Sequence, residues 1–221
     1  MEALLNPVEA RVLGALVEKQ ITTPDYYPLT LNGLTTACNQ KSNRFPVVAF
    51  DEKTVVRAQE SLRDKELARM VSGADMRVPK YYHLFVEKFE LTPPQVAALC
   101  VLMLRGPQTT GEIRGRSGRL YGFADLGEVE QTLKALSERD GGAMIMQLER
   151  QPGRKEARYA HLLCGEPEAA AEEEGEGPIE PAALELRADN ERIAALEEEV
   201  IALRDELAVL QRAFEEFKGQ F

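Results

Sequence analysis

The chain has 221 residues, of which 44% are hydrophobic, and a formal net charge of −10. That length accommodates two domains of ordinary size with a segment to spare, and the hydrophobic share permits real cores. The acidity is local: residues 1–86 and 87–165 each carry 11 Lys/Arg against 10 Asp/Glu, whereas residues 166–221 carry 5 against 17, so bulk charge argues neither for nor against nucleic acid as a partner of the first two segments. No basic stretch followed by an apolar run opens the chain, so no secretory signal is expected. No apolar run approaches the roughly 18 residues that suggest a membrane span. Cys38, Cys100 and Cys164 are far apart in apolar company and read as reduced core thiols of a cytoplasmic protein.

The segment Asn6-Pro7-Val8-Glu9 predicts a helix start. Asn6 caps, Pro7 suits the first helical position, and Glu9 can reach back to the cap. The apolar face of Val12, Leu13 and Leu16 carries this helix to about Gln20, followed by an irregular connection, ITTPDYYPL, whose Tyr26 and Tyr27 are expected to cover the core edge. Thr30 then caps a short helix, LNGLTTACN. A polar turn with Lys41, Asn43 and Arg44 follows, and Asp51 opens a longer helix, EKTVVRAQESLRDKELA. A short helix, a turn and a longer helix make a helix-turn-helix. The segment ARMVSGADMRVPKYYHLF reads as two short strands around a turn, in the position of a wing.

The pattern then restarts. LNPVEARVLGALVE at 5–18 aligns with LTPPQVAALCVLML at 91–104, an offset of 86. Thr92-Pro93-Pro94-Gln95 repeats the cap chemistry. PLTLNGL is answered by PQTTGEI, where Thr109 and Glu112 have capping-box spacing, and Asp125 and Glu128 repeat that spacing before VEQTLKALSERD. KYYHLF at 80–85 is answered by RYAHLL at 158–163. The expected fold is mainly α with small β wings: two tandem winged helices, residues 1–86 and 87–165. An acidic linker, residues 166–183, follows. Residues 184–221 form a heptad array with Ile193, Val200, Leu207 and Phe214 at a, and Leu196, Leu203, Leu210 and Phe217 at d. Ile and Val at a with Leu at d favour a parallel two-stranded coil, so a homodimer through this helix is expected. The alternative is that the apolar stripe folds back on its own chain.

Nothing in the sequence points to catalysis or a cofactor. Gly111, Gly115 and Gly118 lack the strand-to-helix context of a phosphate loop, and no serine sits in a nucleophile elbow. His83 and His161 occupy the same place in the repeat, without companions at metal-ligand spacing, and read as structural. Two basic groupings carry the residue types that contact phosphates and base edges. One is Gln40, Lys41, Asn43 and Arg44, with Lys53 and Arg57 on the following helix. The other is Arg114, Arg116 and Arg119 with the second hairpin's Arg150, Arg154, Lys155 and Arg158. Against them, the second unit's recognition-helix position is acidic, with Glu128, Glu130, Glu138 and Asp140 against Lys134 and Arg139.

The segments EKQITTPDYYPLTLNGLTTACNQKSNRFPV, MLRGPQTTGEIRGRSGRLYGF and RQPGRKEARYAHLLCGE resemble the YceH family of bacterial proteins over essentially the whole chain. The resemblance implies two tandem winged helices and a C-terminal heptad segment, and supplies no function. It places signature positions on Thr36, Cys38, Asn39, Gln40, Lys41, Asn43, Arg44 and Pro46, then on Arg105, Gly106, Thr109, Gly111, Glu112, Arg114 and Arg116. It also implies an acidic residue where this chain has Phe45. Two functional expectations stand together: a DNA-binding protein, such as a transcription regulator, or a protein-interaction module that does not bind DNA.

Overall fold

The computed structural model describes residues 4–72, 78–150 and 156–166. The linker, the heptad array with its dimerisation stripe, and Arg154 and Lys155 lie outside the described residues. Within them the chain is largely helical, with two small antiparallel sheets.

The first half runs α1 (Pro7–Thr22), a 3₁₀ turn (Pro24–Tyr26), β1 (Leu29–Thr30), α2 (Leu31–Cys38), α3 (Glu52–Asp64), β2 (Ala68–Val71) and β3 (Lys80–His83). Local chemistry sets the helix starts. Asn6 and Glu9 form a reciprocal capping box at α1. Thr30 accepts from the Gly33 N–H at α2, and Asp51 accepts from the Thr54 N–H at α3. The three helices pack on one another, and β3 sits between β1 and β2. A short helix, α4 (Phe85–Phe89), leads into the second half: α5 (Pro93–Arg105), α6 (Thr110–Ser117), α7 (Leu126–Ser137), β4 (Ile145–Gln147) and β5 (Tyr159–His161). Here too the three helices pack together. Where the first half pairs Leu29 with Tyr81, the second has an isolated antiparallel bridge between Gln108 and Tyr159. The halves thus repeat one order of elements.

Four expectations change. Helix α3 stops at Asp64 rather than running to Ala68, because Glu66 takes a left-handed φ of 57° and Ala68 enters β2. The connection after α1 is not irregular throughout: α1 continues to Thr22, and Leu29–Thr30 pairs with β3. Of the two tyrosines, Tyr27 packs against the core and its hydroxyl accepts from the His83 N–H, whereas Tyr26 is 76% exposed. Asp125 does cap α7, but the Glu128 carboxylate turns to the Ala124 N–H and the Tyr121 hydroxyl, so the reciprocal half of that box is not made.

Buried residues of both halves form one continuous hydrophobic cluster. Its seam is α1 against α5, with Gly14 at the contact. A Cβ there would lie 3.0 Å from Leu104 Cδ2 and 3.2 Å from Met103 Cβ, so the missing side chain lets α5 come close. Cys100 Sγ lies 3.6 Å from the Gly14 carbonyl. Positions 14 and 100 are equivalent under the 86-residue offset, so like places of the two repeats meet, as in an isologous contact. Cys38 and Cys100 are buried and Cys164 is half-buried, all as free thiols. Burial pushes the Cys38 thiol up to about 12 and Cys164 to about 11, which leaves both unreactive at neutral pH.

Candidate nucleic-acid interface and the junction pocket

The turn from Asn39 to Phe50 joins α2 to α3, and it is built around inward-facing polar side chains. Asn39 exchanges two hydrogen bonds with the Phe50 backbone, both 2.8 Å. Arg11, itself buried, donates to the Cys38 and Pro46 carbonyls at 3.2 and 2.7 Å. Asn43 stands at a φ of 58°, and its side-chain oxygen accepts from Arg105. The Phe45 N–H donates to the Leu104 carbonyl at 2.9 Å, docking the turn on the end of α5.

Arg44 is the largest correction to the DNA-contact set. Its side chain is 0% exposed, and it forks onto Glu18 with contacts of 3.0 and 2.5 Å. The remaining donors go to the carbonyls of Ala37 and Asn43 and to Gln40 Oε1. Every guanidinium nitrogen is occupied inside the protein, so none is left for a base edge. Burial by itself would raise the Glu18 carboxyl, but the hydrogen bonds and charge of Arg44 outweigh it and hold the group below its ordinary value. The acid that orients Arg44 is therefore Glu18, on α1, and position 45 is free to carry Phe45, which is 66% exposed.

Other members of the set divide in the same way. Arg158 is half-buried, donates to the Pro107 carbonyl at 3.0 Å and lies 3.5 Å from Glu112, so it braces the start of α6. Arg114 is exposed but donates to the Ala124 carbonyl. Arg116 donates to Gln108 and lies 3.4 Å from Glu112. Gln40 is half-buried on Arg44. Lys41, Lys53, Arg57, Arg119 and Arg150 are exposed.

Sequence reasoning missed a pocket where the two halves meet. It is about 110 Å³, well below the several hundred Å³ of drug-sized sites. Glu18, Lys19 and Thr22 of α1 and Gln40, Ser42 and Asn43 of the turn form one wall; Arg105, Arg116, Arg119 and Leu120 form the other, over Cys100, Val101 and Leu104 of α5. Burial, and then the neighbouring positive charges of Arg116 and Arg44, hold the Arg105 guanidinium below its ordinary value. The only signal in the sequence was the clustering of signature positions on the turn and on α6, which the fold brings to the same place.

The family model for the protein of unknown function DUF480 matches residues 5–154. The chain belongs to that family. It is similar over its full length, and theirs, to UPF0502 proteins of Geobacter sulfurreducens (55% identical) and Geobacter metallireducens (57% identical). A UPF0502 protein of Opitutus terrae is 56% identical over 73% of this chain and 70% of its own. The YceH-like resemblance is consistent with this membership. Among the described residues, no helix is long and apolar enough to cross a membrane.

Proposed function

We propose that this DUF480 protein binds DNA through two tandem winged helices and is held as a dimer by a coiled coil of its last 38 residues. The repeated order of helices and hairpin supports the winged-helix reading, together with the Gln108–Tyr159 bridge that parallels the β1–β3 pairing. The observation that carries DNA contact is on α3. Lys53 and Arg57 are exposed one turn apart on its first two turns, while Val55, Ala58 and Leu62 are buried. In a helix-turn-helix, the N-terminal residues of the second helix approach the major groove. Lys41, exposed on the preceding turn, suits a phosphate. Arg57 is the better base-edge donor, because its planar fork can pair bidentately with guanine.

A second reading, a protein-docking module without DNA contact, has its own support. Helix α7 exposes Glu130 where α3 exposes cations, its exposed Lys134 is paired with the C-cap Glu138 at 3.9 Å, and Leu126 at its start is 45% exposed, so this face offers phosphate little net attraction. Charge reversal separates the two. The Lys53→Glu/Arg57→Glu double variant of the full chain should keep its melting temperature and lose duplex binding by at least about tenfold in a mobility-shift titration. Unchanged DNA affinity, or no affinity in the parent, moves the function to protein docking. For the dimer, sedimentation of the chain shortened to residue 165 is expected to give a monomer, and a persistent dimer places the interface elsewhere.

A further inference from the structure

No residue of α3 lines the pocket between the halves, although Gln40 and Ser42 of its wall flank Lys41. Lys19, Arg105, Arg116 and Arg119 line the pocket, against one carboxylate, Glu18. That carboxylate is already engaged by Arg44 from behind. Arg116 has a partial counter-charge in Glu112 at 3.4 Å, and Lys19 shares Glu18 at 3.5 Å. Arg105 donates to a neutral amide oxygen, that of Asn43, and forms no ion pair among the described residues. Positive charge therefore exceeds negative around a concave space, with amides and hydroxyls on one wall and an apolar floor. Guanidinium forks suit tetrahedral oxyanions because two N–H groups can meet two oxygens in one plane. The enclosed space, about 110 Å³, suits one small anion.

A competing explanation uses the same residues. α1, α5 and α6 all end near this pocket, and the partial negative charge of a helix C-terminus by itself favours nearby cations. That effect would place cations at helix ends; it would not require three arginines from α5, α6 and the turn after it to share one concavity with Gln40 and Asn43 from the opposite half. We infer that the junction pocket binds the phosphoryl group of a small phosphate compound, clamping the two halves together from both sides. Lys19 and the turn hold it from the first half, and Arg105, Arg116 and Arg119 from the second.

Calorimetric titration of the full chain at constant ionic strength tests this, with inorganic phosphate in one arm and glycerol 3-phosphate in the other. Saturable binding of one anion per chain is expected. Binding of inorganic phosphate identifies the free ion as sufficient, and binding of glycerol 3-phosphate alone identifies an ester as the ligand. Arg119→Gln, at an exposed side chain, and Lys19→Gln, at a half-buried one, should each weaken it by about tenfold, the loss of one charge-assisted hydrogen bond, with melting temperatures close to the parent's. Absence of saturable heat with both compounds at millimolar concentration overturns the inference. So does binding that survives both substitutions within about twofold, which leaves the cations as neutralisers of helix ends.

Discussion

Removing the Arg44 side chain would leave the Glu18 carboxylate, which is only 13% exposed, with Lys19 at 3.5 Å as its remaining counter-charge, and free two backbone carbonyls of their donor. Breaking a buried pair in this way costs about 3–5 kcal/mol, so Arg44→Ala should shift the urea midpoint markedly. Glu18→Gln should also destabilise, and the double variant should lose less than the sum, since the two residues share one interaction. An unchanged midpoint for Arg44→Ala would show that the turn holds itself without it. Acid titration probes a second set of residues. Burial lowers His83 and His161 from 6.5 to about 4, with Glu87 partly opposing the shift at His83. Neither ring nitrogen of His83 has a hydrogen-bond partner among the described residues. Because the unfolded imidazoles take up protons first, this stability is complete above pH 6.5 and drains away as the pH falls towards 4. Glu9 and Glu18 add to the loss at still lower pH. Burial opposes ionisation in both, but Lys65 at 2.5 Å from Glu9 and the Arg44 fork at Glu18 prevail and hold the carboxyls low. The midpoint should therefore be lower at pH 5 than at pH 7, with His83→Phe reducing the difference. Equal midpoints at the two pH values would contradict the burial of both imidazoles in the neutral form.

At the scale of elements, α1 and α5 meet where Gly14 lets the helices approach. Alanine there recovers helix propensity of up to about 1 kcal/mol, which would mask part of the overlap, so Gly14→Val is the cleaner substitution. It should destabilise by about 1–3 kcal/mol through overpacking against Met103 and Leu104, measured by thermal or urea unfolding. A neutral result would mean that α5 can shift away without loss. The same helices show why some structure was legible in the sequence and some was not. Helix starts at Asn6, Thr30, Thr109 and Asp125 were legible because a cap is made by residues three apart. The fate of Arg44 was not, because its acid lies 26 residues away on another helix. A donor-rich turn has the same composition whether it faces solvent or satisfies its own carbonyls. Nor was the pocket, whose two walls lie in different repeats. The end of α3 was missed for a local reason: nothing in LRDKELA signals that Glu66 will turn left-handed.

For the whole molecule, the continuous core joins two repeats of equal charge count that differ at the second helix of each trio: α3 exposes Lys53 and Arg57, with Lys41 on the preceding turn, whereas α7 exposes Glu130 and a Lys134 already paired with Glu138. A protein built in this way would engage DNA asymmetrically, with its first repeat, while dimerisation through the heptad segment would supply two such contacts per assembly. Each phosphate neutralised by Lys or Arg contributes about −0.9 to the slope of log affinity against log salt on duplex DNA. The most direct measurement is the duplex affinity of the full chain by fluorescence anisotropy across a series of salt concentrations. Contact by Lys41, Lys53 and Arg57 predicts a slope of about −2.7 for each first repeat engaged, falling by about one unit in Lys41→Ala. A slope near zero, or a Lys41→Ala variant whose slope and affinity match the parent, would contradict DNA binding by this face.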